Sequence, residues 1–364
     1  MARALDLARR GLGNTWPNPA VGCVLVRDGT VVGEGWTQPG GRPHAEVEAL
    51  TAAGEAANGA TAFVTLEPCA HHGKTGPCAR ALATAGVAHV ITALEDPDPR
   101  VAGRGHAMLR DAGVTVETGC DADAAQAFYA AYFHRLTTGR PWVTLKLAMS
   151  VDGRIATATG ESRWITGPEA RAEVHRLRAV HDAVMIGSGT AQADDPMLDV
   201  RDAPAPQRQP VRVIADTRAR LDPHSRLART AGAQPVWLLH GAQHLAPDLP
   251  HGVTPLAVPA RAHLDLPAAF DMLGTRGLTS VLCEGGGTLA AGLIRAGLVQ
   301  ELILFTAGKI LGAEGRPGIG ALALSALADA PEFALAAHQR VGADLMSVWR
   351  ASAQLAQHAP GAGR

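Results

Sequence analysis

Short apolar, β-branched runs alternate with helical stretches along most of this chain, and the alternation breaks once, at Thr137-Thr138-Gly139-Arg140-Pro141. Strands and helices in alternation bury their apolar faces on one another, which calls for a layered α/β architecture. Before the break, the pattern predicts a helix over residues 2–12 and a hairpin joining Val21 to Val26 with Val31-Val32 through the turn Asp28-Gly29. It then predicts a helix from His44 to Ala53, a strand from Ala62 to Leu66, a helix from Cys78 to Ala85, a strand from His89 to Leu94 and a helix from Val101 to Ala112. After the break come a strand from Trp142 to Ala148, a helix from Pro168 to Ala179, and strands at Ala183 to Ile186, Val211 to Ala215 and Val236 to Leu239. A strand from Ser280 to Cys283 runs into a helix from Thr288 to Ala296, and Glu301 to Ala307 is a further strand. This second series has the look of a doubly wound sheet. Gly and Pro at the break mark a linker, and 364 residues are long for one core. Two domains are expected, 1–139 and 141–352, followed by a disordered tail over 353–364.

Bulk properties exclude several function classes. A net charge of −1 gives no electrostatic support for nucleic-acid binding. No apolar run reaches the roughly 18 residues of a membrane span. Met1-Ala2-Arg3-Ala4-Leu5-Asp6 lacks the apolar core of a signal peptide, so a cytoplasmic location is expected. Five cysteines are an odd number for a disulfide framework and point to metal binding or burial.

The sharpest chemical signal is His44-Ala45-Glu46 followed by Pro68-Cys69 and Cys78. One imidazole and two thiolates are three ligands, which leaves a catalytic zinc its fourth position for water. Bound zinc lowers the pKa of that water to about 7 and so provides hydroxide at neutral pH. Glu46, two residues after His44, is too close to be a second ligand without strain, and is placed to carry a proton from the water to a departing amine. Zinc nucleobase deaminases use this chemistry with the signature H-x-E…P-C-x-x-C. Here Cys69 and Cys78 are nine residues apart, with Ala-His-His-Gly-Lys-Thr-Gly-Pro between them, which leaves a structural zinc or buried cysteines as the competing reading. Cys23, Cys120 and Cys283 lie in apolar strands or near turns and read as buried spectators.

In the second half, Glu284-Gly285-Gly286-Gly287-Thr288-Leu289 joins a strand to a helix, as does Gly187-Ser188-Gly189-Thr190 before Ala193-Asp194-Asp195-Pro196. Glycines between an apolar strand and a helix let backbone amides meet a pyrophosphate at the helix N-terminus, although ordinary tight turns look the same. No clean G-x-G-x-x-G is present. Asp216-Thr217-Arg218 ends the strand at Ala215. An acid there usually favours the ribose 2′-hydroxyl of NAD, whereas Thr217 and Arg218 suit a 2′-phosphate; the residues leave both open.

Several runs together resemble the riboflavin-biosynthesis deaminase–reductase family. They are Pro17-Asn18-Pro19-Ala20-Val21-Gly22, His44-Ala45-Glu46, Thr65-Leu66-Glu67-Pro68-Cys69, His71-His72-Gly73-Lys74-Thr75, Pro77-Cys78, Asp96-Pro97-Asp98-Pro99 and Val101-Ala102-Gly103-Arg104-Gly105. The long inter-cysteine insert is itself that family's pattern. Lys146-Leu147-Ala148-Met149-Ser150-Val151-Asp152-Gly153-Arg154, Gly160-Glu161-Ser162-Arg163-Trp164 and His175-Arg176-Leu177-Arg178 continue the likeness, which spans essentially the whole chain.

The resemblance implies a cytidine-deaminase-like three-layer domain followed by a dihydrofolate-reductase-like α/β domain. It implies one Zn2+ per chain on His44, Cys69 and Cys78, and NADPH in the second domain. The small-molecule substrate would be 2,5-diamino-6-(5-phosphoribosylamino)pyrimidin-4(3H)-one. Its 2-amino group would leave as ammonia, and NADPH would then reduce the ribosyl group to ribityl by hydride delivery to C1′. Asn18 would hold the pyrimidine, with His71 and Lys74 near the ribose phosphate; the competing reading of Lys74 is a solvated loop charge. Asp96 lines the ring pocket or caps a turn. Ala148, Trp164, Thr190, Asp194, Thr217, Gly286, Gly287, Thr288, Leu289, Ala290, Ala291 and Gly292 would contact NADPH. Ser162, Arg178, Leu198, Arg201 and Glu284 would contact substrate, the two arginines suiting a ribose 5-phosphate. Glu46, Lys146, Asp194 and Glu284 are assigned catalytic roles. The family further implies a homo-oligomer.

Other classes fit less well. A nucleic-acid editing deaminase predicts a basic channel and a short C-x-x-C, and neither is present. A zinc-stabilised binding module has no use for Glu46. A deaminase with a dead reductase conflicts with the intact second set of motifs.

Overall fold

Pairing of short strands, rather than any long helix, organises the chain. The structure, a computed structural model, describes residues 1–71, 76–201, 208–244 and 249–352. Lys74 and the tail 353–364 lie outside the described residues. Contacts cluster into two units, the first Met1–Gly139 and the second beginning at Arg140.

The first unit runs α1 (Ala2–Arg9), β1 (Gly22–Arg27), β2 (Thr30–Trp36), α2 (Ala45–Ala53), β3 (Thr61–Val64), α3 (Cys78–Thr84), β4 (His89–Thr92), α4 (Arg104–Asp111), β5 (Thr115–Thr118), α5 (Ala122–Phe128) and α6 (Ala130–Thr138). Its sheet has the order β2-β1-β3-β4-β5, antiparallel across β2-β1-β3 and parallel across β3-β4-β5. Alternation along each strand divides the residues between two faces. Cys23, Leu25, Ala62, Val64 and Val90 pack with Ala45 and Ala49 of α2, Ala79 and Leu82 of α3 and Leu109 of α4. Val24 and Phe63 point the other way, toward Ala4 and Leu7 of α1. Leu5 of α1 joins Ala125, Tyr129 and Tyr132 of the C-terminal helical pair in a second cluster. A three-layer α/β/α sandwich results.

The second unit runs β6 (Trp142–Ser150), β7 (Arg154–Ala156), α7 (Pro168–Val180), β8 (Ala183–Gly187), α8 (Ser188–Asp194), β9 (Val211–Ala215), α9 (Arg226–Arg229), β10 (Val236–Gly241), β11 (Val253–Val258), α10 (Leu266–Thr275), β12 (Ser280–Cys283), α11 (Gly287–Arg295), β13 (Glu301–Ala307), β14 (Arg316–Pro317), β15 (Phe333–Val341) and β16 (Asp344–Ala351). Nine strands form one mixed sheet, β11-β10-β9-β8-β12-β6-β13-β16-β15. The seven from β11 to β13 are parallel, and β16 and β15 add an antiparallel hairpin at one edge. Parallel pairing directs the loops that follow β12, β8 and β9 to the same sheet edge, the position where open α/β sheets bind ligands.

Several boundaries differ from the sequence expectation. The first helix stops at Arg9 and not at residue 12, because the next amides bond back only three residues, Arg10 N–H to Leu7 O and Gly11 N–H to Ala8 O. The helix expected from Val101 starts at Arg104, since Gly103 has a left-handed φ of +78° that a helix cannot contain. The β15–β16 hairpin has no counterpart in the expected series: Phe333–Val341 is mostly exposed and carries no clean apolar alternation.

Candidate functional site

In the first unit, local chain geometry gathers the sulfur and nitrogen donors. His44 is the N-cap of α2, and Cys78 is the first residue of α3. His44 Nδ1 lies 3.3 Å from Cys78 Sγ and 3.7 Å from Cys69 Sγ, and the backbone N–H of Cys78 donates to Cys69 Sγ at 3.3 Å. Around a tetrahedral zinc with ordinary bond lengths, a nitrogen–sulfur edge is about 3.6 Å. The donor set therefore fits zinc both in spacing and in chemistry. The hydrogen bond with Cys78, aided by His44, brings Cys69 down to about 4, while the same bond and burial hold the Cys78 thiol well above its ordinary value, so the two sulfurs share one proton.

Glu46 sits in the first turn of α2, where its charge suits the helix dipole. It is 3% exposed. Burial first, and then the neighbouring Cys69, raises its carboxyl above the ordinary range. A buried carboxylate with raised pKa beside a metal site is suited to take and return a proton.

Glu67 is a residue that sequence reasoning quoted but gave no role. Its buried carboxylate accepts four main-chain N–H groups: Gly105 at 2.7 Å, Gly103 at 2.9 Å, His106 at 3.1 Å and Asp96 at 3.2 Å. It thus caps α4 and ties that helix to the Pro68-Cys69 segment. The fit is tight, because a Cβ on Gly105 would fall 1.9 Å from the Pro68 carbonyl oxygen. Glu67, Glu95 and His106 also come close enough to resemble a metal cluster, but the Glu67 oxygens are already filled by amides. Its only sequence signal was an acid directly before Pro68-Cys69.

The other expected first-unit residues have partners of their own or lie buried. Asn18 Nδ2 donates to Gly41 O at 2.9 Å. His71 Nδ1 is buried with no hydrogen-bond partner among the described residues. Asp96 is buried, accepts the Asp98 N–H at 2.9 Å and faces the Tyr132 hydroxyl at 3.4 Å. Its Oδ1 does cap a turn, and burial pushes the group up to about 6.

In the second unit, Gly285 and Gly286 have φ of +82° and +89°, a conformation that only glycine adopts readily, and lead from β12 into α11. α11 has no side-chain cap, so its first N–H groups are available to an anion. The Thr190 hydroxyl donates to Gly285 O at 3.2 Å and joins the two glycine-rich turns. Between them opens a cleft of about 1120 Å³. Of the sequence-predicted residues, Ser162, Thr190, Asp194, Thr217, Gly286, Gly287, Thr288, Leu289 and Gly292 line it. These backbone amides and the roomy cleft fit a dinucleotide.

Beside the cleft, at the end of β12, Glu284 forms a two-point ion pair with Arg178, in which Arg178 Nη2 meets Glu284 Oε2 at 2.9 Å. Arg178 also donates to Asp199 O at 2.9 Å. Burial would raise Glu284, but Arg178 and then Lys146 overcome it and hold the carboxyl at about 2. Burial lowers Lys146, against the pull of Glu284.

Other expected contacts lie outside the cleft lining. Ala290 and Ala291 are buried in α11, and Leu198 is buried. Ala148 packs beside Ile303 and Phe305. Trp164 is 60% exposed under the Arg171 guanidinium, 4.4 Å from its ring centre. Arg201 pairs with Asp199 at 2.5 Å at the surface.

Comparison with known proteins matches both halves of the chain to one family. Residues 1–94 match the family model of the cytidine and deoxycytidylate deaminase zinc-binding region, and residues 141–347 match the RibD C-terminal domain. The riboflavin biosynthesis protein RibD of Escherichia coli is 46% identical over 95% of this chain and 96% of its own length. That of Haemophilus influenzae is 45% identical over 95% of each. Among solved structures, Acinetobacter baumannii RibD superposes with a TM-score of 0.85 at 38% identity, covering 97% of this chain and 98% of its own. A Thermotoga maritima diaminohydroxyphosphoribosylaminopyrimidine deaminase/5-amino-6-(5-phosphoribosylamino)uracil reductase gives 0.85 at 32% identity, covering 96% and 97%.

Proposed function

The chain belongs to the RibD family of bifunctional riboflavin-biosynthesis enzymes, with a zinc-binding deaminase domain and an NADPH-dependent reductase domain, and from that premise we propose how its own residues divide the work. The domains are placed at 1–139 and 141–352. The substrate is the one that the Thermotoga relative's name specifies, a diaminopyrimidine carrying a phosphoribosylamino group.

In the deaminase, His44, Cys69 and Cys78 hold the zinc, which when bound supplies a water acidic enough to attack carbon at neutral pH. Asn18 orients the pyrimidine, and His71, Lys74 and Asp96 complete its surroundings. Glu46 takes the proton released by the attacking water and passes it to the exocyclic nitrogen. The C–N bond breaks, ammonia leaves, and the ring carbon keeps the oxygen. Burial of Glu46 supports this role, since a carboxyl raised above its ordinary value is a better proton acceptor and can still return the proton.

In the reductase, the cofactor supplies a hydride to the sugar C1′. The amides that open α11 bind its pyrophosphate, with Ser162, Thr190 and Asp194 on the cleft walls. Lys146 donates the balancing proton at the sugar oxygen that becomes a hydroxyl. Glu284, kept anionic by Arg178, holds Lys146 and the substrate in place. Ser162, Leu198 and Arg201 complete the substrate contacts. We also infer a homo-oligomer working in the cytoplasm on small molecules; no helix among the described residues is long and apolar enough to cross a membrane.

The observation that carries the reading is the pairing of a sulfur–sulfur–nitrogen donor triad with a buried acid, Glu46. The test supplies the diaminopyrimidine nucleotide with NADPH and looks for the ribitylamino product together with one ammonia per turnover. Ammonia without NADPH oxidation, or neither, removes the two-step assignment.

A further inference from the structure

Asp216 follows the last residue of β9, where an acid ordinarily accepts from the ribose 2′-hydroxyl of NAD and repels the 2′-phosphate of NADP. In this chain Asp216 lines the cleft, but its carboxylate is already engaged by its own loop. It is 2% exposed. Oδ1 accepts the Arg218 N–H at 3.2 Å, and Oδ2 accepts the Arg220 N–H at 2.5 Å. The Arg220 guanidinium adds an ion pair at 3.6 Å. Turning the acid toward a ribose would strip two part-buried amides of their acceptor, which is costly.

The loop that Asp216 ties down presents two arginines to the cleft, Arg218 and Arg220. Arg220 is engaged with Asp216. Arg218 is exposed, lies on the cleft wall, and has no acidic partner among the described residues. Two other arginines line the same cleft at different places. Arg295 ends α11, about 12 Å along the helix from its phosphate-binding end. Arg316 belongs to β14, paired with β7. β9 is two strands away from β12, or about 10 Å across the sheet. A dinucleotide with its pyrophosphate at α11 and its reactive end near Lys146 therefore lays its adenosine ribose toward β8 and β9.

We propose that Arg218 is the specificity-determining residue for NADPH: its guanidinium receives the 2′-phosphate, and Asp216 is a positioning residue that shapes the loop instead of a ribose ligand. Planar guanidinium donors match phosphate oxygens in pairs, so one arginine can carry the discrimination. The inference rests on the cleft being the dinucleotide site.

Calorimetric titration of the full-length protein with NADP+ and NAD+ tests it without turnover. The native protein is expected to bind NADP+ at least about tenfold tighter than NAD+. Arg218→Ala should erase most of that preference by weakening NADP+ alone, and Arg218→Lys should restore part of it. Asp216→Asn should weaken NADP+, as the loop loosens. A native NADP+/NAD+ ratio in Arg218→Ala overturns the proposal, as does an Asp216→Asn variant that gains NADP+ at the expense of NAD+. Thr288→Glu serves as the control for the cleft itself. It places a carboxylate at the start of α11, where the helix tolerates it but a pyrophosphate does not. Loss of both dinucleotides supports the site, so that a native ratio in Arg218→Ala then counts against Arg218 alone; retention of both overturns the cleft assignment and the role of Arg218 with it.

Discussion

Arg178 and Glu284, 106 residues apart in the chain, form a two-point ion pair with only 11% and 10% of their side chains exposed. A charge pair held this far from water is costly to break from one side, because the surviving partner stays buried and uncompensated. Arg178→Ala is expected to destabilise the reductase unit by about 3–5 kcal/mol. Arg178→Lys should recover part of this, since it keeps the charge and loses the fork. Calorimetric unfolding of the three proteins checks the order; equal stability of Arg178→Ala and the native protein would show that the pair contributes nothing.

The same pair gives a pH signature. Glu284 titrates at about 2 in the folded chain against an ordinary 4.5. A depressed carboxyl contributes stability above its unfolded pKa and loses it as pH falls through the folded one. The contribution, about 3 kcal/mol, is therefore complete above pH 4.5 and fades toward pH 2. The reductase unfolding free energy of Glu284→Gln should fall less steeply than the native one between those values. Parallel curves would rule out an anionic Glu284 as the source.

Glu46→Gln preserves shape and removes the proton carrier. Zinc content and substrate binding should survive, while deaminase kcat drops at least about a hundredfold. Reduction of the pre-deaminated substrate should stay near native. Lys146→Ala should do the reverse. Loss of zinc from Glu46→Gln, measured by elemental analysis, would make it a ligand and not a shuttle.

About one zinc per chain is expected in purified protein, held by His44, Cys69 and Cys78. Stripping it with a chelator should abolish ammonia release and lower the melting temperature of the deaminase unit, leaving NADPH oxidation with the pre-deaminated substrate intact. Full zinc retention in a His44→Ala, Cys69→Ala double variant would disprove the site.

Glu67→Gln replaces one of two acceptor oxygens with a donor amide facing backbone N–H groups. The deaminase unit should lose about 2–4 kcal/mol and release zinc faster to a chelator. Unchanged zinc release with native stability would reduce Glu67 to a bystander.

The sequence by itself determined what is local. His44-Ala45-Glu46, Pro68-Cys69 and Cys78 name a donor set because ligand chemistry belongs to residue type, and two of the three donors, His44 and Cys78, are placed by the start of a helix. Glycine-rich strand-to-helix turns and apolar alternation likewise announced two α/β halves, since backbone freedom and burial act over a few residues. Tertiary structure alone decided what depends on distant partners. It gave Glu67 four amides from two other segments, and it set Arg178 against Glu284. Asp216, legible as a ribose acid, has both its oxygens engaged by two amides of its own loop. The β15–β16 hairpin was also illegible: its register comes from pairing with β13, and its exposed side chains leave no periodic trace of the sheet they extend. Hydrogen bonds and charges select partners by distance in space, and a one-dimensional pattern records only the types of residue that will seek them.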